Sequence, residues 1–344
     1  MLKCKVIDKN MQMAYGEVIH LEPDVARVMV KSGKVEIVPT DENRGVLAKY
    51  KTVEYIYRGD YANNKGLKVA WVQDYNKDGG AELSNFVVTK IGDMLGYDIV
   101  GVTPEKFNMK VLEGADIVIL NNFFNFLETD LQKILKFVYE SGKPVVKYEH
   151  DHREINLRLD QAKRLFAATA MNVFISPLQL RNHTAALGEI KSMALPLAFD
   201  VELFVNKKEK REEKSVLVPS FSKCTENTIK YIIEHPDEKF YIVGNADIPG
   251  KAVKCLPRIA GDEMPRYYNQ YETVLHVPQK IGGGERVIFE AVLCGCKVVT
   301  NENSAHLSWS EKFDWKNETI LREQLMRAPF AFWREMAKLC RPKQ

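Results

Sequence analysis

From Leu67 onward short apolar runs alternate with stretches of helical period, and this alternation leaves few architectures open. Val69-Ala70-Trp71-Val72 precedes an amphipathic stretch from about Ala81 to Leu95, followed by Asp98-Ile99-Val100. Asp116-Ile117-Val118-Ile119-Leu120, a helix from about Glu128 to Ser141 and Pro144-Val145-Val146-Lys147-Tyr148 continue the series. Parallel strands need long crossovers, and the crossover helices cover the sheet faces, so the pattern predicts a doubly wound α/β sheet over residues 66–205. The charge run Lys207-Lys208-Glu209-Lys210-Arg211-Glu212-Glu213-Lys214 cannot bury itself and is expected to be a solvated linker over 206–214. A second series then begins with Val216-Leu217-Val218 and runs through a helix near Asn227 to Glu234, Phe240-Tyr241-Ile242-Val243, Val274-Leu275-His276-Val277 and Lys297-Val298-Val299-Thr300. This predicts a second α/β domain over 215–318, with an amphipathic helix in 319–344 packing across both domains. Residues 1–62 carry short alternating runs such as Val28-Met29-Val30 and Val35-Glu36-Ile37-Val38, which suggest a small β-rich module.

The chain has 344 residues, 45% hydrophobic and 28% charged, enough for two or more domains with sizeable cores. No apolar run approaches a membrane span, and Met1-Leu2-Lys3-Cys4-Lys5 does not read as a signal peptide, so a cytoplasmic protein is expected, in a host cytoplasm if the source is viral. The six cysteines are scattered, and Cys294-Gly295-Cys296 has the wrong spacing for a redox pair or zinc knuckle. Free, mostly buried thiols follow. A net charge of +3 does not by itself indicate a nucleic-acid partner.

Within the second series one segment carries chemistry. Gly282-Gly283-Gly284-Glu285-Arg286-Val287 opens a helix through Glu290 that leads to a buried strand. Glycines let a ligand approach the backbone, and the unpaired N–H groups and dipole of a helix start favour an anion. Arg286 is placed to contact a diphosphate, and Glu290, one helical turn on, to accept from ribose hydroxyls.

Several segments in order resemble the GT-B glycosyltransferases, especially glycosyltransferase family 4. They are Asp78-Gly79-Gly80-Ala81-Glu82 after the first α/β strand, Pro144-Val145-Val146 with His150-Asp151, Val173-Phe174-Ile175-Ser176-Pro177, Leu195-Pro196-Leu197-Ala198-Phe199-Asp200, Asp262-Glu263-Met264-Pro265, His276-Val277-Pro278 and the glycine-opened helix. The resemblance covers about residues 67 to 300. It implies two Rossmann-like domains facing a cleft, and transfer of a sugar from a nucleoside-diphosphate sugar, UDP-linked above others, to an acceptor hydroxyl with retention. It also implies that His150 contacts the donor sugar or reacting centre with Asp151 orienting it, that Lys223 or Arg286 neutralises the diphosphate, and that no essential metal is needed. The implied donor-binding set is Gly79, Gly80, Ser222, Lys223, Gly283, Gly284, Glu285, Arg286, Val287 and Glu290. One departure stands out: relatives carry a sugar-contacting glutamate eight positions before the ribose glutamate, where this chain has Gly282, so either Glu285 takes over that contact from a shifted loop or backbone N–H groups bind the sugar.

The acceptor is not specified by any motif. Aromatic and basic residues interleave in Lys49-Tyr50-Lys51-Thr52-Val53-Glu54-Tyr55-Ile56-Tyr57-Arg58, and Arg153, Arg158, Lys163 and Arg164 form a possible basic face. A 5-hydroxymethylated base in DNA, flipped from the stack, is therefore one acceptor reading, beside surface polysaccharide, lipid-linked sugar and protein hydroxyls. Outside transfer chemistry stands a non-catalytic nucleotide-sugar or DNA-binding module. A dinucleotide oxidoreductase is disfavoured because neither glycine turn has the G-x-G-x-x-G spacing.

Overall fold

In a computed structural model of the chain, the described residues are 2–6, 18–21, 35–37, 66–74, 79–123, 125–151, 159–246, 248, 250 and 253–340. Two units are distinguished, Met1–Asn63 and Asn64–Gln344. In the first, β1 (Leu2–Val6) pairs antiparallel with β2 (Val18–Leu21) and β3 (Val35–Ile37). The run Val28–Val30 and the segment Lys49–Arg58 lie outside the described residues.

The second unit holds two parallel sheets. One has the order β5-β4-β6-β7-β8-β9, built from β4 (Lys68–Val72), β5 (Asp98–Val102), β6 (Ile117–Leu120), β7 (Val145–Glu149), β8 (Met171–Phe174) and β9 (Ser192–Ala194). The crossovers are α1 (Gly80–Met94), α2 (Met109–Gly114), α3 (Glu128–Glu140), α4 (Leu159–Ala168) and α5 (Pro177–Leu187). Every residue of β6 is buried, as a strand covered on both faces requires. In α3 the buried residues Leu131, Ile134, Phe137 and Val138 recur at helical spacing and pack onto the β4 and β6 core. Ser176 caps α5 by accepting from Gln179 N at 3.1 Å, and Pro177 fixes its first turn.

The second sheet has the order β12-β11-β10-β13-β14, from β10 (Glu212–Val218), β11 (Lys239–Val243), β12 (Val253–Leu256), β13 (Tyr271–His276) and β14 (Lys297–Thr300). Its helices are α6 (Thr225–Glu234), α7 (Met264–Gln270) and α8 (Arg286–Leu293). Gly295, at φ +79°, closes α8 in the left-handed conformation that glycine adopts most cheaply. The charge run is only partly linker: Glu212–Lys214 begin β10, and the Arg211 guanidinium donates to the Tyr268, Tyr271 and Cys294 carbonyls. An arginine stem can be covered while its head binds backbone oxygens, which is why a charged run did not remain wholly solvated.

Helix α9 (Glu318–Leu339) reaches back to the first sheet. Trp333 is fully buried, stacks on Tyr97 at 4.4 Å and donates its indole N–H to the Val88 carbonyl at 2.7 Å. A Cβ on Gly92 would overlap that ring, so α1 is glycine where α9 lies closest. Truncating a tryptophan at such a site costs roughly 3–5 kcal/mol. Together α9 and direct contacts between the halves hold the carboxyl ends of both sheets around one cavity. No helix among the described residues is long and apolar enough to cross a membrane.

Candidate active site

The cavity has a volume of about 430 Å³, and its walls come from turns at the carboxyl ends of the strands, the usual ligand position in doubly wound sheets. From the first sheet, Asp74 follows β4 and accepts from Asn125 N at 2.8 Å. Asn122 follows β6 and donates to Asp151 Oδ2 at 3.3 Å. Beneath them β7 carries a fully buried ion pair, Lys147 to Glu149 at 2.9 Å, and Glu149 Oε1 accepts from Asp151 N at 2.8 Å, which fixes the turn holding His150 and Asp151. His150 is 6% exposed, and burial, with the Lys147 and Arg286 charges, lowers its pKa to about 3. Its Nε2 has no partner. Burial thus favours the neutral imidazole.

From the second sheet, Ser220 and Lys223 follow β10, and His276 ends β13. His276 is 1% exposed, and burial with the Lys223 charge lowers its pKa to about 4. Its Nδ1 lies 3.6 Å from Cys224 Sγ, and its Nε2 is unpartnered. Helix α8 then starts at the same wall.

The glycine run is explained by packing. None of Gly282, Gly283 or Gly284 has a positive φ, so space rather than backbone conformation selects glycine. A Cβ on Gly283 would overlap the His150 carbonyl, while Ser176 Oγ donates to the Gly283 carbonyl at 2.9 Å. A Cβ on Gly284 would overlap the His306 ring, which stacks on Phe289 at 4.1 Å. A Cβ on Gly282 would overlap the Glu285 carboxylate, which has folded back into that place. Glu285 stands at the N-cap position of α8 without a side-chain capping bond, lines the cavity and is 9% exposed, with Oε2 unpartnered. Burial pushes its carboxyl up to about 7, against the Lys223 charge and a bond from its own N–H, with Asp151 adding to the rise.

Arg286 and Glu290 stand differently from the sequence expectation. Arg286 Nε donates to Glu290 Oε1 at 2.9 Å, and Nη1 donates to Ser84 Oγ at 2.8 Å and to the Ala198 carbonyl at 3.2 Å. Its guanidinium lies 4.1 Å from the centre of the Phe199 ring. Glu290 Oε2 accepts from the buried Tyr268 hydroxyl at 3.0 Å. The i,i+4 spacing that puts the two on one face also lets them pair with each other. Arg286 thereby becomes a tie between the two sheets' halves while still lining the cavity, and Glu290 lies behind the wall. Likewise Asp151 bonds Asn122 and not the His150 ring, because the backbone places the two side chains on different neighbours.

Of the sequence-derived residues, Gly80, His150, Asp151, Lys223, Gly284, Glu285, Arg286 and Val287 line the cavity. Gly79, Ser222, Gly283 and Glu290 do not, while Asp78, His152, Arg153 and Arg158 lie outside the described residues. Asp74, Asn122 and Asn125 were not anticipated; their only signal was a position just past a buried strand. Among the described residues Lys223 is the one cavity-lining cation whose side chain makes no hydrogen bond or ion pair, and no group of three or more His, Cys, Asp or Glu side chains has a metal-site arrangement. Cys224, Cys294 and Cys296 are buried free thiols, Cys340 is partly buried and Cys255 is exposed.

No family model matches the chain, and no curated protein matches it. Solved structures do. Sucrose-phosphate synthase from Thermosynechococcus elongatus superposes with TM-score 0.57 at 12% identity, over 79% of this chain and 92% of that one. The Anabaena HepE protein in complex with UDP and glucose gives 0.52 at 14%, over 80% and 92%. An alpha-glucosyltransferase in complex with UDP and a 13-mer DNA containing an HMU base gives 0.51 at 11%, over 80% and 95%. Likeness at these identities establishes the fold: two parallel α/β sheets in the GT-B arrangement.

Proposed function

We propose that the chain is a glycosyltransferase that moves a hexose from a UDP-sugar to an acceptor hydroxyl with retention. The observation that carries this reading is one cavity, at the carboxyl ends of both sheets, whose lining joins a lysine and a helix start to a buried histidine and carboxylates. Lys223 and the start of α8 suit a diphosphate. His150, Asp151 and Glu285, on the same lining, can bond hydroxyl groups. The GT-B neighbours carrying UDP support the same donor class. In the reaction the acceptor oxygen bonds to the anomeric carbon as the carbon–phosphate oxygen bond breaks. The acceptor proton passes to the departing diphosphate. Charge grows on that diphosphate, so Lys223 and the α8 N–H groups stabilise the transition state more than the ground state. Arg286 acts by holding the halves together across Ser84 and Ala198.

The test is incubation of the full chain with a panel of nucleotide sugars, following nucleoside diphosphate release, with hydroxymethylated DNA, unmodified DNA and glycans as acceptor arms. Lys223→Ala is expected to lower turnover about 10²-fold or more, the usual loss for one preorganised charge donor. Absence of binding and turnover with every donor overturns the reading. The DNA acceptor draws on Lys49–Arg58, which lies outside the described residues, and on a neighbour whose structure contains DNA.

A further inference from the structure

Resting on the transferase reading, we propose that His276 donates a hydrogen bond from Nε2 to the diphosphate of the donor beside Lys223, and that Cys224 is the positioning residue that holds its ring in the tautomer able to do so. His276 is the last residue of β13 and lines the cavity together with Lys223 and the start of α8. It stands between the buried Leu275 and Val277, where packing alone asks for another apolar side chain.

The turns that carry Lys223 and His276 are tied to each other. Gln279 N donates to the Lys223 carbonyl at 3.2 Å, and Asn227 Nδ2 donates to the Val277 and Pro278 carbonyls at 3.1 and 3.2 Å. Asn301 and Asn303 donate to the same Pro278 carbonyl, each at 3.0 Å. Cys224, next to Lys223 in the chain, then holds the imidazole itself, with Sγ 3.6 Å from Nδ1.

This network selects the tautomer. Cys224 is fully buried, and burial pushes its thiol up to about 11, so the sulfur keeps its hydrogen. The Val277 N–H donates to Sγ, and among the described residues His276 Nδ1 is the side-chain partner left to take the thiol hydrogen. A neutral imidazole that accepts at Nδ1 carries its own hydrogen on Nε2. Among the described residues that Nε2 has no partner, on a side chain more than nine-tenths buried. The nearby His306 ring does not take it, since both of its nitrogens are unpartnered too. Buried donors are rarely left so unless a ligand or water completes them. The acceptor that suits a wall with Lys223 and the α8 start is an anionic oxygen, and a neutral N–H adds a bond to it without a second charge for Lys223 to repel.

The experiment titrates the full chain, carrying isotopically labelled histidine, with UDP, and with uridine as the probe that lacks phosphates. Ring-nitrogen NMR is expected to show His276, assigned by its loss in His276→Gln or His276→Asn, as the Nε2–H tautomer, with a resonance that UDP shifts and uridine leaves in place. His276→Ala is expected to weaken UDP binding about tenfold or more, the scale of one hydrogen bond to a charged group, and uridine binding no more than about twofold. His276→Gln, whose amide reaches the Nε2 position, should recover most of that loss, whereas His276→Asn, which reaches only Nδ1, should not. Cys224→Ala should mix the two tautomers and weaken UDP binding a few-fold, and Cys224→Ser, which keeps a hydrogen for Nδ1, should restore both. An Nδ1–H tautomer in the parent overturns the proposal, as does an Nε2 resonance unmoved by UDP. So does a His276→Ala protein that melts like the parent and binds UDP as tightly, or one that loses uridine and UDP equally. A parent that binds neither UDP nor any nucleotide sugar is a different result, which removes the transferase reading itself.

Discussion

Two glycine turns open the helices that meet at the cavity. In Gly79-Gly80-Ala81-Glu82 and in Gly282-Gly283-Gly284-Glu285, a glutamate three residues after the first glycine turns its carboxylate back over that glycine and accepts from its own N–H. Beyond this they part. In the first turn Gly80 meets only the Arg286 stem, 3.2 Å from an added Cβ, and Glu82 stays half exposed. In the second, Gly283 and Gly284 lie against the His150 carbonyl and the His306 ring, and Glu285 is buried. The difference teaches that a glycine run before a helix signals close approach without saying what approaches. In the second turn it is protein, and the ligand-facing groups are the side chains that follow.

The largest effect that tests this contrast is expected at Gly283. An added methyl would strike the backbone of His150, which has no rotamer by which to yield, so the two halves must separate locally. Gly283→Ala is expected to lose about 1–3 kcal/mol of stability, seen as a lower Tm. Donor turnover should fall about 10²-fold, because His150 and the α8 start shift relative to each other. A variant that melts and turns over like the parent would break the contrast, since the second turn would then be as open as the first.

A smaller effect comes from the two glutamates. Glu285, held near 7 by burial, shares its surroundings with Asp151 and Lys223. Its folded pKa lies above its unfolded value, so the folded state binds the extra proton, and its contribution to stability is lost as pH rises from about 4.5 through about 7. A diphosphate near it favours the protonated form for the same reason, so donor KM is expected to rise several-fold, roughly up to tenfold, as pH passes through 7. Glu285→Gln should flatten that rise, and Glu82→Gln should leave it in place. The histidines act in the opposite direction: His150 and His276, held low at about 3 and about 4, resist protonation in the fold, so stability falls as pH drops below about 6.5. A donor KM that is flat across pH 6 to 8 would sink the Glu285 assignment.

Much of the fold was legible because burial on both faces leaves a plain mark. β4, β6 and β13 are apolar runs, and β7 remained readable although Lys147 and Glu149 sit inside it as a buried pair. β12 was missed: it is a short edge strand with Lys254 and Cys255 exposed, so it carries no such mark. Of the cavity lining, His150, Asp151, Lys223 and Glu285 were legible as polar residues just past a strand or at a helix start. Asp74 and Asn125 were not, because an acid in a turn is ordinary until the fold closes other acids around it. The pairing of Arg286 with Glu290 shows the limit from the other side: spacing gave a shared face, and only packing decided that each would be the other's partner.

The smallest effect is expected at Gly80, and it sharpens the comparison because the substitution is the same as at Gly283. An added methyl there meets Arg286 Cδ at 3.2 Å, tighter than ordinary contact but against the stem of a side chain rather than a main chain. The stem can give a few tenths of an ångström, but its head is held by Ser84, Ala198 and Glu290, so the displacement is resisted at the tie between the halves. Two terms oppose: alanine is favoured over glycine by at most about 1 kcal/mol, the helix-interior value, and the crowding costs about 1 kcal/mol or more. Gly80→Ala should therefore melt within about 1 kcal/mol of the parent and lose at most a few-fold in turnover. A loss as large as that of Gly283→Ala would mean that Arg286 is as rigid as backbone, and that the first turn is closed by protein in the same way as the second.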